Sequence, residues 1–296
     1  MNKAIRFVLA VLCIICIQLI IGITVIKPLI FTWGSTDQEV TMSMPGDHLA
    51  PFISSTRSIT INAPISQVWD WLIQLGADRG GFYSYWFIEK PLGYKYRVQD
   101  RIEPEFKEMK VGRIIKASLD QSKSVIDYGF PVVEVDPGRS FVLKGWGCFL
   151  LNEINPQKTR LIVRTHGRAL LNWADHLEYS FMMSLHYIME RRMLIGIKAR
   201  SEAGPGIPFS STADVMWFVG ICLSLISIIG LLIASTRRRA GLLAMLYSIL
   251  WLWVLFILDP VATYGMVLFM ILMIHSGWLF KTRSRSASEQ AFIVAT

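Results

Sequence analysis

The residue types best suited to chemistry fall between Arg79 and Glu89. Tyr85 and Glu89 are four apart in the stretch Phe82–Glu89, so on a helix a phenol and a carboxylate would share a face with Phe82 and Trp86. A carboxylate among aromatic rings suits a pocket for an oily ligand with one polar end, or a proton-transfer dyad inside such a pocket. The same rings could instead plug one end of a sheet. Arg79, just before Gly80-Gly81, offers a cation to a ligand anion or to a neighbouring carboxylate such as Asp78 or Asp100.

The other titratable groups are less suited. Glu103 and Glu105 flank Pro104 in a charged loop and read as a solvated turn, because pair chemistry needs a cleft and separated pKa values. His166 has the outward parity of its strand. His176 and His186 are ten apart on a helix and face different ways, so no zinc set forms. His275 lies in an apolar span, where a proton-linked role and a hydrogen bond to a neighbouring helix both fit. Cys13, Cys16 and Cys222 fall in apolar segments, leaving Cys148 alone in the polar middle, and no disulfide framework follows. No dinucleotide, P-loop, nucleophile-elbow or zincin signature is present, so neither a cofactor nor a metal is implied.

Composition places these residues in a membrane protein. Of 296 residues 53% are hydrophobic and only 18% charged, against about a quarter charged in soluble domains. The apolar excess lies in one N-terminal block and the C-terminal third. The net charge of +8 does not point to nucleic acid, because between Trp33 and Asp214 there are 21 Lys or Arg against 20 Asp or Glu. The surplus flanks apolar segments, at Lys3 and Arg6, at Arg237-Arg238-Arg239, and at Lys281, Arg283 and Arg285, as topology markers do.

The elements that position the candidates follow from periodicity. Phe7 to Ile26 is a signal anchor of 20 apolar residues, enough for a core of about 30 Å. Residues 34–56 form an irregular connector. Ile59 and Ile61 alternate with polar residues as in a half-buried strand, and Pro64 opens a helix through Val68, Trp69 and Leu72 that Gly76 ends. Between Val111 and Leu171 short strands alternate, with rows Ile115/Ala117/Leu119, Ile126/Tyr128/Phe130, Phe141/Leu143 and Leu161/Val163/Thr165, predicting an antiparallel meander with one wet face. Asp175 is expected to cap a helix to about Glu202, with Phe181, Met182, Leu185, Ile188 and Met189 on one face and Arg191 and Lys198 off it. The methionines on it suit an adaptable ligand lining or ordinary core. After a linker at 204–213, Val215 to Ala234 makes a second span. Ala240 to Phe280 is 41 residues of almost unbroken apolarity, about twice the length a bilayer needs, and Asp259-Pro260 near its centre predicts a hairpin of two spans. Basic short loops then predict four spans, both termini cytoplasmic and the polar middle outside.

The order I-x-I-x-A-P-x-x-x-V-W-x-W-L, then D-R-G-G-F-Y-S-Y, then Arg101-Ile102-Glu103-Pro104-Glu105 and Val111-Gly112, ending in Met189 to Lys198, resembles the SRPBCC superfamily, in its START and Bet v 1-like, polyketide-cyclase or lipid-transport-like branch. The resemblance covers the middle 150 residues or so, the size of one domain. It implies an α+β helix-grip domain at 57–203, an antiparallel sheet wrapped on a long C-terminal helix, between a transmembrane segment at 1–33 and a three-span region at 214–281 with a basic tail at 282–296. It implies a cavity between helix and sheet, for which Phe82, Tyr85, Trp86, Glu89, Tyr128, Phe141, Leu143, Met182, Leu185 and Met189 are the expected lining. The expected function is binding of a hydrophobic small molecule or lipid beside the bilayer. A cyclase- or dehydratase-like enzyme and a membrane sensor or interaction module are the alternatives, and the sequence names no protein partner.

Overall fold

The computed structural model describes residues 3–91, 94, 99–106, 108–120, 129–203, 210–233 and 238–277. The chain divides into two compact units, Met1–Lys27 with Ser210–Thr296, and Pro28–Phe209.

Helix α1 (Lys3–Ile21), in the first unit, passes through a π-helical turn at Gly22–Ile26 into α2 (Lys27–Thr32), whose residues from Pro28 on belong to the second. Pro28 explains the wide turn, since its ring and missing N–H disturb the regular hydrogen-bond ladder one turn earlier. The apolar run therefore continues to Thr32, past the expected end at Ile26. Phe7–Thr32, Thr212–Ile233 and Ala240–Ile257 are each long and apolar enough to cross a membrane, and the chain is a membrane protein. The last stretch comprises α8 (Arg238–Leu252) and a π turn at Trp253–Ile257, following α7 (Thr212–Ile233). The helix breaks at the expected Asp259-Pro260, where Val261 N–H bonds the Asp259 carbonyl at 2.7 Å, and a shorter apolar helix, α9, follows at Ala262–Gly277. Tyr247 of α8 and His275 of α9 hydrogen bond to each other, the plainer of the two roles foreseen for that histidine. The basic residues 281–285 and Arg237 lie outside the described residues.

Helices α7 and α9 cross backbone to backbone. A Cβ on Gly220 would sit 2.4 Å from the Gly265 carbonyl carbon, and one on Gly265 would sit 2.6 Å from the Trp217 carbonyl oxygen. Neither obstacle is a side chain that can swing away, so the two glycines set the approach, as small residues do between membrane helices. Gly220→Ala should lower the unfolding free energy in detergent by about 1–3 kcal/mol. Gly230→Ala, with open space around its Cβ position, is the control in the same thermal melt.

The second unit is built on six antiparallel strands in the order β1-β6-β5-β4-β3-β2. These are β1 (Ile53–Ile61), β2 (Ile114–Lys116), β3 (Gly129–Asp136), β4 (Ser140–Leu143), β5 (Gly147–Asn155) and β6 (Lys158–His166). The Asp136-Pro137-Gly138 and Asn155-Pro156 turns fall where expected. In the row Ile115/Ala117/Leu119 the strand stops at Lys116 and Leu119 is exposed, while Ile126 and Tyr128 lie outside the described residues. One face of the sheet carries the main core, Phe141, Leu143, Phe149, Leu151, Leu161 and Val163, closed by α4 (Ile65–Leu72) and by Met193, Leu194 and Ile197 of α6 (Trp173–Ala203).

Two expectations change here. The outer face is not wet, because the connector folds over it. Thr36 and Glu39 form a capping box at the start of α3 (Asp37–Thr41), and Met44 packs on Val142, Cys148, Leu150 and Ile162. Arg164 is buried beneath this cover and donates to Thr56, to Asp47 and to the carbonyls of Glu39, Val40 and Met42. Helix α6 is also turned relative to its expected face. Asn172, not Asp175, accepts from the first turn, while the Asp175 carboxylate reaches back to the Leu171 N–H. The buried side is Met183, Tyr187, Glu190, Arg191, Leu194 and Ile197, with Phe181, Met182 and Leu185 exposed.

Candidate functional site

The aromatic stretch is not one helix. The Gly80-Gly81 loop ends in Tyr83 at φ +56°, held by a hydrogen bond from its hydroxyl to the Trp71 carbonyl, and α5 covers only Trp86–Glu89. Phe82 and Tyr85 therefore precede the helix and do not share its face. Gly196 on α6 lets the loop come close, since a Cβ there would stand 2.4 Å from the Tyr83 carbonyl oxygen. Tyr85 and Glu89 are buried, Phe82 and Trp86 half-buried, and Phe141 and Leu143 fully enclosed in the core. Met189 is half-buried and its carbonyl accepts from Ser84, whereas Met182 and Leu185 stand on the surface. Tyr128 lies outside the described residues. Arg79 forms neither foreseen carboxylate pair. It donates to the Phe106 carbonyl and lies 4.7 Å over that ring, and burial, helped by Arg113, brings its pKa down to about 10.

Phe82 points to a place the sequence reading passed over. Its ring is 6.0 Å from Trp146, which also meets Phe130 at 5.1 Å, Phe149 at 5.4 Å and the His186 ring at 5.8 Å. Among these rings sits a polar cluster contributed by β1, β6, the β4–β5 turn and α6. Arg57 and Glu190 form an ion pair with both side chains at 0% exposure. Glu190 also accepts from Trp146 Nε1 at 3.1 Å and from the Thr165 hydroxyl at 3.4 Å, and His186 Nε2 stands 3.7 Å from it. Arg57 Nε donates to the Ile30 carbonyl at 2.7 Å, and its guanidinium lies 5.4 Å over Tyr187. The remaining nitrogen, Nη2, is buried and has no acceptor among the described residues.

Burial alone would raise the Glu190 carboxyl, but the Arg57 charge, His186 and the hydrogen bonds from Trp146 and Arg57 hold it below the ordinary carboxylate range. Burial lowers His186, and the neighbouring Arg57 lowers it further, against the pull of Glu190. A histidine below its usual 6.5 favours the fold above that pH, and this contribution is lost as pH falls through the folded value. Glu190 acts in the same sense below its usual 4.5. Stability should therefore fall in two steps on acidification, one starting near pH 6.5 and one below 4.5. His186→Gln should flatten the first step in a series of thermal melts. His166, which burial also lowers, supplies what is left of it.

Both halves of the pair carried a readable signal. Arg57 has the parity of Ile59 and Ile61, which puts it on the core face of β1. Glu190 lies four residues from both His186 and Leu194, on one side of α6. A groove of about 640 Å³ between the Asp136–Arg139 turn and β5 is open and polar, and none of the expected lining residues borders it. Comparison with family models, with curated proteins and with solved structures finds nothing that matches this chain.

Proposed function

We propose that this is a membrane-anchored binding protein for a hydrophobic small molecule or lipid, acting by sequestration or short-range transfer. The observation that carries the reading is Arg57 Nη2, a buried cationic donor without an acceptor among the described residues, whose partner Glu190 accepts from Trp146, a half-buried ring beside Phe82. A ligand oxygen would satisfy that nitrogen while the apolar part lies against the rings, the usual division of labour in a small-molecule pocket. The resemblance to START and Bet v 1-like proteins, with α6 across one face of an antiparallel sheet, supports the same reading, and anchoring suits ligands that partition into the bilayer. In this reading the chain spans the membrane four times, with the domain outside the cytoplasm and both termini within.

The test is native mass spectrometry and lipid extraction of the purified full chain, alone and after incubation with a fluorescent lipid analogue. An apolar molecule should accompany the protein, and Phe82→Ala should reduce its occupancy several-fold while circular dichroism is unchanged. Finding no bound molecule and no uptake of the analogue would overturn the proposal. A cyclase- or dehydratase-like enzyme is the second reading, favoured by an imidazole kept neutral 3.7 Å from an ionised carboxylate. In that case His186→Gln and Tyr85→Phe would remove turnover and spare binding.

A further inference from the structure

The N-terminal half of α6 carries an apolar row that none of the described residues covers. Trp173, Leu177, Phe181 and Leu185 follow at four-residue steps and are 79%, 66%, 64% and 42% exposed, with Leu171 just ahead at 86%. Isolated exposed apolar side chains are ordinary, but a contiguous row of large ones marks a contact surface. The residue next to the row indicates its occupant. The apolar helix Phe7–Thr32 ends in this unit, where the Ile30 carbonyl accepts from Arg57 at 2.7 Å. The same guanidinium pairs with Glu190 and has Nη1 3.4 Å from His186 Nδ1, and His186 directly follows Leu185. Within this unit, the last residues of the spanning helix and the turn of α6 that carries Leu185 and His186 are thus linked through one guanidinium. The spanning helix has 26 residues, about 39 Å at the usual rise against an apolar bilayer thickness of about 30 Å, so its last turn lies at the headgroup level.

We propose that the row Trp173, Leu177, Phe181, Leu185 lies in the interfacial layer of the bilayer that Phe7–Thr32 crosses, making the first half of α6 a surface-bound helix. Tryptophan, phenylalanine and leucine on one side of such a helix are the residues that seek this layer. His176 and Ser180, three and seven residues after Trp173, border the row, whereas Glu153 and Gln157 are exposed at the β5–β6 turn, at the other end of β6. The bilayer contact does not depend on the ligand proposed above, and a chain that binds no small molecule would still make it.

The experiment uses the full chain with Cys13, Cys16, Cys148 and Cys222 replaced by alanine, in nanodiscs of phosphatidylcholine and phosphatidylglycerol. A nitroxide is placed in turn at L177C, F181C, E153C and Q157C, all at exposed positions that leave the core intact. Labels at 177 and 181 should be relaxed several-fold more by oxygen than by a water-soluble nickel chelate, with the opposite order at 153 and 157. As a measurement free of labels, brominated lipids should quench the wild-type chain more than Trp173→Phe. Four labels behaving alike as water-exposed would overturn the proposal. So would spin–spin broadening at 177 and 181 without oxygen access, which would assign the row to a second copy of the chain.

Discussion

Glu190→Ala should be among the most damaging single changes in the domain, at about 3–5 kcal/mol. With the carboxylate gone, the Arg57 guanidinium stays at 0% exposure with the Ile30 carbonyl and a long contact to His186 Nδ1, and Trp146 Nε1 and the Thr165 hydroxyl lose their acceptor. For a chain of this size the loss corresponds to a fall in melting temperature on the order of 10 °C. It should be read by circular dichroism on the full chain in detergent. Arg57→Met combined with Glu190→Leu should cost far less than Glu190→Ala alone, because a buried pair replaced by apolar groups of similar volume releases its desolvation penalty. A near-silent Glu190→Ala would show that water reaches the pair and would remove it from the interior.

The double replacement also separates structure from function. A buried ion pair is a poor way to hold a fold together, since desolvation offsets most of the attraction. An apolar pair at 57 and 190 would serve this sheet equally well. If the doubly substituted chain melts normally yet no longer carries an apolar molecule, the pair is present for the ligand. If it melts normally and still carries one, the polar end of the ligand lies elsewhere, with Glu89 as the next candidate.

Most of the architecture could be read from periodicity, and what escaped did so for identifiable reasons. Strand parity placed Phe141, Leu143, Leu161 and Val163 inside, and the Asp259-Pro260 break was legible because proline and an acid both oppose a continuing membrane helix. The face of α6 was misjudged because apolar residues are spread around it, so hydrophobicity gave no direction. The direction comes instead from charged residues going inside, Glu190 with Arg57 of β1 as its partner and Arg191 against Tyr187 of the same helix. Ion pairing across 133 positions, as between Arg57 and Glu190, leaves no local trace in a sequence. The connector at 34–56 read as irregular for lack of periodicity, although Thr36 and Glu39 spell a capping box. The stretch 82–89 failed as a helix because the Gly80-Gly81 loop runs on into the positive φ of Tyr83, which spacing alone does not reveal.

The connector leads to the second large expectation, Arg164→Ala. Its guanidinium is 2% exposed and anchors residues 39–47 to β6, through Asp47 at 2.7 Å and the carbonyls of Met42 at 2.6 Å, Glu39 at 2.7 Å and Val40 at 3.0 Å. Charge-assisted bonds are the strong ones, and removing this donor leaves three carbonyls and a carboxylate without it, so a loss of about 3–5 kcal/mol is expected. The damage should be confined to the cover. The Glu39–Arg160 pair at 2.7 Å holds the first turn of α3 and keeps the Glu39 carboxyl at about 2, while β5 and β6 remain bonded to each other. Cys148 reports the opening. Under the cover burial pushes its thiol up to about 12, aided by Asp47, and Met44 packs on its cluster, so in the native chain it is protonated and shielded. With Cys13, Cys16 and Cys222 replaced by alanine, Arg164→Ala should make Cys148 react with a maleimide at least tenfold faster, as expected if the cover loses more than about 1.4 kcal/mol of its closing free energy. Amide exchange should rise across 36–47 and stay slow across 148–151. Unchanged labelling together with uniformly faster exchange would mean instead that the segment and the sheet open as one body, with Arg164 serving the whole domain.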